Sequence, residues 1–233
     1  MSWQNGFRHN LAALADLAHS HGAVFIVDAA QSAGALDLDV RRLGIDFLAA
    51  PALKWLLGTP GIGYLYVSRE QTERLTPVQA AYTGVISPFD PTLDVPIVYQ
   101  PNATRYEVGM PSLPGMAASR EGIELLRAVG MADVERQVLD LSGYCIERLR
   151  QRDLCVLTPE PAEQRAGVVG LGAARCEEAA AFLRERGVDV YASTVKSVLR
   201  IDPHFFNNRA EIDRLMDGLD ELVRQEGRDA LRP

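Results

Sequence analysis

The sequence predicts an α/β protein in which a mixed, mostly parallel sheet is followed by a smaller α+β region. Three observations carry that prediction. Short apolar runs of strand length, over 23–27 and 47–50, alternate with stretches of helical period. Both runs lack polar alternation, as expected of strands buried on both faces of a parallel sheet. Beyond residue 110, amphipathic helices interleave with further short strands, the pattern of a small α+β layer.

Taken in order, Leu11, Leu14, Ala15 and Ala18 recur at helical spacing behind Asn10, whose side chain can accept the first free N–H groups of a helix. His21-Gly22 closes that helix, because glycine takes the left-handed conformation of a C-terminal cap readily. A strand over 23–27, a short helix over 40–43 and a strand over 47–50 follow. The turn Gly58-Thr59-Pro60-Gly61 leads into a third strand over 62–67. So short a connection favours an antiparallel return, since a parallel partner needs a long crossover.

Between 77 and 101 proline is frequent and no period is clear, which predicts a long loop. Helices are expected over 115–129 and 132–150, the second with Val134, Val138, Leu141, Cys145 and Leu149 on one face. Strands over 154–157, 167–171, 188–191 and 198–201 and helices over 177–186 and 209–224 complete the chain. The expected division is 1–110 for the first region and 111–233 for the small C-terminal domain.

Composition narrows the function classes. Hydrophobic residues make up 47% of the 233 and charged residues 24%, ordinary values for a soluble globular protein. A net charge of -7 without a Lys/Arg cluster argues against a nucleic-acid partner. No apolar run reaches the length of a membrane span, and the first residues do not form a signal peptide. Cys145, Cys155 and Cys176 make neither a CxxC pair nor a metal-ligand rhythm with the four histidines, so no metal site is expected. A sparse, odd cysteine set suits the reducing cytoplasm.

Asp28 ends an apolar strand, where open α/β sheets place their ligands. A turn or helix-capping aspartate is the alternative. Lys54 and Lys196 are the only lysines among 24 basic residues. Lys54 precedes Trp55-Leu56-Leu57, and desolvation there would favour a neutral amine. The alternative is a lysine snorkelling from a strand edge. A strand-end carboxylate, Gln31 three positions on and a lysine beyond the next strand form an arrangement able to hold pyridoxal phosphate (PLP). The amine condenses with the aldehyde, and the carboxylate keeps the pyridinium nitrogen protonated.

Asp28, Gln31, Lys54 and the turn from Gly58 to Gly63 together resemble the class V aminotransferase family of fold-type I PLP enzymes. That family includes cysteine desulfurases and isopenicillin-N-epimerase-like proteins. The resemblance runs from Ser2-Trp3 to the final helix but covers only the later part of the family pattern. It therefore implies an N-terminally truncated chain: the later part of the PLP-binding large domain, then the small C-terminal domain. It also implies roles. Lys54 would be the Schiff-base lysine and the base at the substrate α-carbon, Asp28 would pair with the ring nitrogen, and Gln31 would bond the phenolic oxygen.

Residues 198–207 resemble the family's late Arg-x-Ser-x-x-x-Tyr-Asn element. Carried across, Arg200 clamps the substrate α-carboxylate with its planar fork, and Asn207 begins the last helix. The alternative for Arg200 is a strand-end arginine paired with a surface carboxylate, and His204 reads as packing or capping. Residues 104–109 resemble an Arg-Phe-Glu-x-Gly-Thr element. Met110 stands there in place of the hydroxyl that reaches the cofactor phosphate, and Arg105 and Glu107 suggest a structural ion pair. Pro51 and Leu53 replace a hydroxyl residue and a histidine common before the lysine. No cysteine lies between Tyr191 and Leu199, and Cys176 reads as helix packing, which argues against desulfuration.

The resemblance thus implies a PLP-dependent enzyme acting on an amino acid as transaminase, lyase or epimerase, and a homodimer in a full-length form. The alternative is a truncated, non-catalytic fragment of the fold that serves as an interaction or structural domain. A phospho-acceptor domain built on Asp28 leaves Lys54 and Arg200 without roles.

Overall fold

The computed structural model describes residues 1–87 and 97–232, so the middle of the expected 77–101 loop lies outside the described residues. The chain forms two compact units. Their extents differ from the expected 1–110 and 111–233. One comprises Asn10–Ala30 and Leu38–Leu125. The other comprises Met1–His9, Gln31–Asp37 and the chain from Leu126 onward.

In the first of these units, helix α1 (Leu11–Ser20) begins where the Asn10 side chain accepts from the Ala13 N–H. Gly22, at φ +69°, turns the chain toward strand β1 (Ile26–Asp28). β1 pairs in parallel with β2 (Phe47–Pro51), setting Asp28 opposite Ala49. β3 (Gly63–Val67) returns antiparallel to β2, as the short turn requires. The sheet is thus mixed, in the order β1-β2-β3.

The helix expected over 40–43 is only a single turn. Asp39 Oδ1 caps it by accepting from the Arg41 and Arg42 N–H groups, and Gly44 at φ +63° ends it at once. A short helix that the sequence pattern did not reveal, α2 (Arg69–Arg74), follows β3 and is capped by Ser68. Helix α3 (Leu113–Val129) appears as expected, and the boundary between the two units falls within its residues.

The other unit is built on α4 (Met131–Arg150), whose expected face of Val134, Val138, Leu141, Cys145 and Leu149 is fully buried. β4 (Val169–Gly172), α5 (Cys176–Arg184), β5 (Tyr191–Ser193), β6 (Val198–Ile201) and α6 (Arg209–Glu226) complete it. Its sheet is antiparallel throughout, ordered β4-β6-β5. Side chains of α4, α5 and α6 form one apolar core with β4 and β6. The expected strand over 154–157 contracts to a single bridge, Val156 with Leu171, because Pro159 and Pro161 follow and cannot extend a ladder. β5 starts later than expected. The Val188 N–H bonds back to the Leu183 carbonyl, so the chain after α5 first completes a helix-ending turn at Gly187 (φ +73°).

The last helix is capped by Asn208 rather than begun by Asn207. Asn208 accepts from the Glu211 N–H while Glu211 accepts from the Asn208 N–H, a reciprocal capping box. Met1–His9 joins this unit through close backbone contacts: a Cβ on Gly6 would lie 1.9 Å from the Val168 carbonyl oxygen, and the Arg8 N–H donates to Gln164 O at 2.9 Å. Among the described residues no helix is long and apolar enough to cross a membrane.

Candidate functional site

Parallel pairing of β1 with β2 brings the ends of both strands to one edge of the sheet, and that edge carries Asp28 and Lys54. Asp28 is exposed, and its Oδ1 accepts from the Ala30 N–H at 2.8 Å. This is the turn-aspartate arrangement, and it leaves Oδ2 without a partner among the described residues. Lys54 lies three residues past β2 and is exposed, not desolvated as its apolar neighbours suggested. Its amine has no hydrogen bond or ion pair among the described residues.

The loop under Lys54 is held tightly. Trp55, only 5% exposed, takes the interior direction in place of Lys54. Leu57 is left-handed at φ +58°, a conformation that costs a leucine roughly 1–2 kcal/mol and persists only under firm packing. The Gly58 N–H donates to Ala52 O at 2.7 Å, and a Cβ there would meet Ser119 Oγ at 2.6 Å. Ser119 Oγ in turn accepts from the Thr59 N–H at 3.3 Å. Lys54 therefore projects from a fixed platform.

Gln31 and Arg200 belong to the other unit. Gln31 is buried at the start of the Gln31–Asp37 segment. Arg200 sits on β6 with its side chain 14% exposed. Asp202 grips it side-on: Nε lies 2.8 and 3.1 Å from the two carboxylate oxygens, and Nη2 is 2.7 Å from Oδ2. Nη1 donates to the Trp3 carbonyl at 3.3 Å, and the Tyr191 ring lies 4.7 Å beneath the guanidinium.

The secondary expectations divide. His204 is buried, stacks on Phe206 at 4.8 Å and accepts at Nδ1 from the Phe205 N–H, a packing role. Arg105 donates to the Thr72 carbonyl and lies over the Tyr99 ring, so Glu107 is not its partner. Cys145 is fully buried, which pushes its thiol up to about 12, and Cys176 is buried at the start of α5. Trp3, Leu57 and Tyr191 escaped the sequence reading. Asp202, just past the end of β6, is the carboxylate of the alternative reading of Arg200, a strand-end arginine held in an ion pair.

A family model described as aminotransferase class-V matches residues 2–215. The chain belongs to the class V aminotransferase family. Among the family's curated members, the uncharacterized aminotransferase YcbU of Bacillus subtilis is 29% identical over 215 residues, covering 92% of this chain and 56% of that protein. Isopenicillin N epimerase of Streptomyces clavuligerus is 30% identical, covering 91% and 56%. The apo structure of cysteine desulfurase from Thermococcus onnurineus superposes with a TM-score of 0.86 at 27% identity, over 97% of this chain and 58% of that one. The class V fold is therefore shared, and the chain spans about half the length of the curated relatives it matches.

Proposed function

We propose that this class V chain carries the lysine and ring-nitrogen partner of a cytoplasmic PLP-dependent enzyme acting on an amino acid. The carrying observation is the pair at one edge of the mixed sheet: an unpartnered Lys54 amine on a rigid loop, and the exposed Asp28 carboxylate on the adjoining parallel strand. A free amine and an acceptor for a protonated ring nitrogen are what the cofactor's aldehyde and pyridine nitrogen need, so these two residues fit that part of it. Bound PLP withdraws electrons from the carbon that bears the substrate's amino group.

The chain's residues divide the remaining work. Asp28 Oδ2 would hold the ring nitrogen protonated, and Gln31 would serve the phenolic oxygen. Lys54 would be the residue that holds the cofactor covalently, and its amine would serve as the base toward the proton at the substrate α-carbon. Arg200 takes the substrate carboxylate. The absence of cysteine over 191–199 supports transamination, elimination or epimerisation over desulfuration. In a full-length form the enzyme is a homodimer.

The test is an absorbance titration of the chain with PLP beside Lys54→Ala. A visible band lost in the variant, with a borohydride-fixed adduct mapped to Lys54 by mass spectrometry, is the expected result. Identical spectra from both proteins would refute it and leave a structural or interaction domain.

A further inference from the structure

The Arg200 guanidinium is already engaged by a carboxylate of its own chain, and the manner of that engagement is specific. A guanidinium carries five N–H bonds in a rigid plane. Asp202 accepts the Nε–H, with its Oδ2 also 2.7 Å from Nη2 as an ion pair, and the Trp3 carbonyl accepts one N–H of Nη1. One N–H therefore remains on Nη1 and two on Nη2, so each terminal nitrogen can still donate to a single carboxylate in a bidentate pair. Tyr191 covers one face of the plane, so the group cannot rotate without leaving the ring.

Two consequences follow for charge. Asp202 and Arg200 together are neutral, so attraction for an incoming anion is weaker than at a bare arginine. The Asp202 carboxylate also stays beside the terminal edge, where it repels any second acidic group on the ligand.

We propose that Asp202 is a specificity-determining residue acting through Arg200. It positions the terminal edge for one carboxylate and disfavours amino acids whose side chain bears another. The inference rests on Arg200 being the carboxylate clamp, and it restricts the substrates to monocarboxylic amino acids.

The experiment uses the 233-residue chain with propionate and succinate as probes, their affinities read from NMR shifts of the Arg200 Nε–H and Tyr191 resonances. In the native chain succinate should bind no more tightly than propionate. Asp202→Asn should move the ratio in favour of succinate by about tenfold, the order of one partly screened like-charge contact. Asp202→Glu should restore the native ratio. A purely structural role for Asp202 would shift both affinities together, so an unchanged ratio in Asp202→Asn overturns the proposal. Failure of both probes to bind either protein also overturns it. If Arg200→Gln binds both probes as the native chain does, the clamp assignment itself fails, an outcome distinct from an unchanged ratio.

Discussion

Replacing Gly122 by alanine adds one methyl group where the loop below Lys54 presses against α3. A Cβ there would lie 2.6 Å from Leu56 O, 2.8 Å from Leu57 O and 2.9 Å from Leu57 C. Two effects oppose each other. Alanine in a helix gains roughly 0.5–1 kcal/mol over glycine. A methyl forced into packed surroundings costs roughly 1–3 kcal/mol. The atoms met are loop backbone, pinned by the left-handed Leu57, and cannot swing aside. Overpacking therefore wins, and Gly122→Ala should destabilise the protein by about 1–2 kcal/mol. Gly218→Ala in α6 is the comparison, since its Cβ would meet only the end of the Leu183 side chain at 2.7 Å. There the helix gain offsets most of the cost. Urea unfolding followed by circular dichroism, with the slope m checked for constancy, measures both. Because Leu56 and Leu57 follow Lys54 closely, Gly122→Ala should also weaken the Lys54-dependent PLP band, and Gly218→Ala should not. A Gly122→Ala protein as stable as the native one, with Gly218→Ala the more damaged, would refute this reasoning.

The pH dependence of stability should contain a signature of Asp46. Burial pushes this carboxyl up, but the Phe25 N–H at 2.8 Å, His19 at 2.9 Å and Gln71 at 3.3 Å together hold it below the usual carboxylate range. Its contribution is therefore complete above the unfolded-state pKa of about 3.9 and is lost as pH falls through the lower folded value. The native urea midpoint should drop more steeply below about pH 4 than that of Asp46→Asn, which costs roughly 1–3 kcal/mol at pH 7; parallel pH profiles would exclude this role. At the last helix, Asn208→Ala removes one half of the capping box and should cost about 1 kcal/mol, whereas Asn207→Ala should cost less. Thermal or urea midpoints ranking the two variants in reverse would place the cap elsewhere.

Much of the fold could be read from local chemistry. Asn10 and Gly22 bracket α1 because a cap and a left-handed turn are short-range events. The short Gly58–Gly61 connection foretold the antiparallel return of β3, because chain length alone forbids the other pairing. The errors came where a short pattern had to compete with its flanks. Residues 40–43 had helical composition but a glycine one residue later, and 154–157 had strand composition but prolines just beyond. The division of the chain into units was less legible, because Met1–His9 joins its unit through contacts with residues more than a hundred positions away.

The candidate site separates in the same way, and Lys54 shows why. Apolar neighbours suggested a desolvated amine, yet consecutive residues of a turn cannot all point inward. Trp55 fills the interior and Lys54 is left outside. Access to the Lys54 amine is therefore governed by packing at Trp55, Leu57, Gly58 and Gly122 rather than by burial of the lysine. Arg200 differs, because its neighbour just past the strand end is a carboxylate that fixes its orientation and offsets its charge. The proposed roles on one unit thus depend mainly on backbone packing, and on the other mainly on one ion pair. Loosening the first should impair covalent capture of the cofactor with any carboxylate, whereas neutralising Asp202 should change which carboxylate is accepted and leave capture intact.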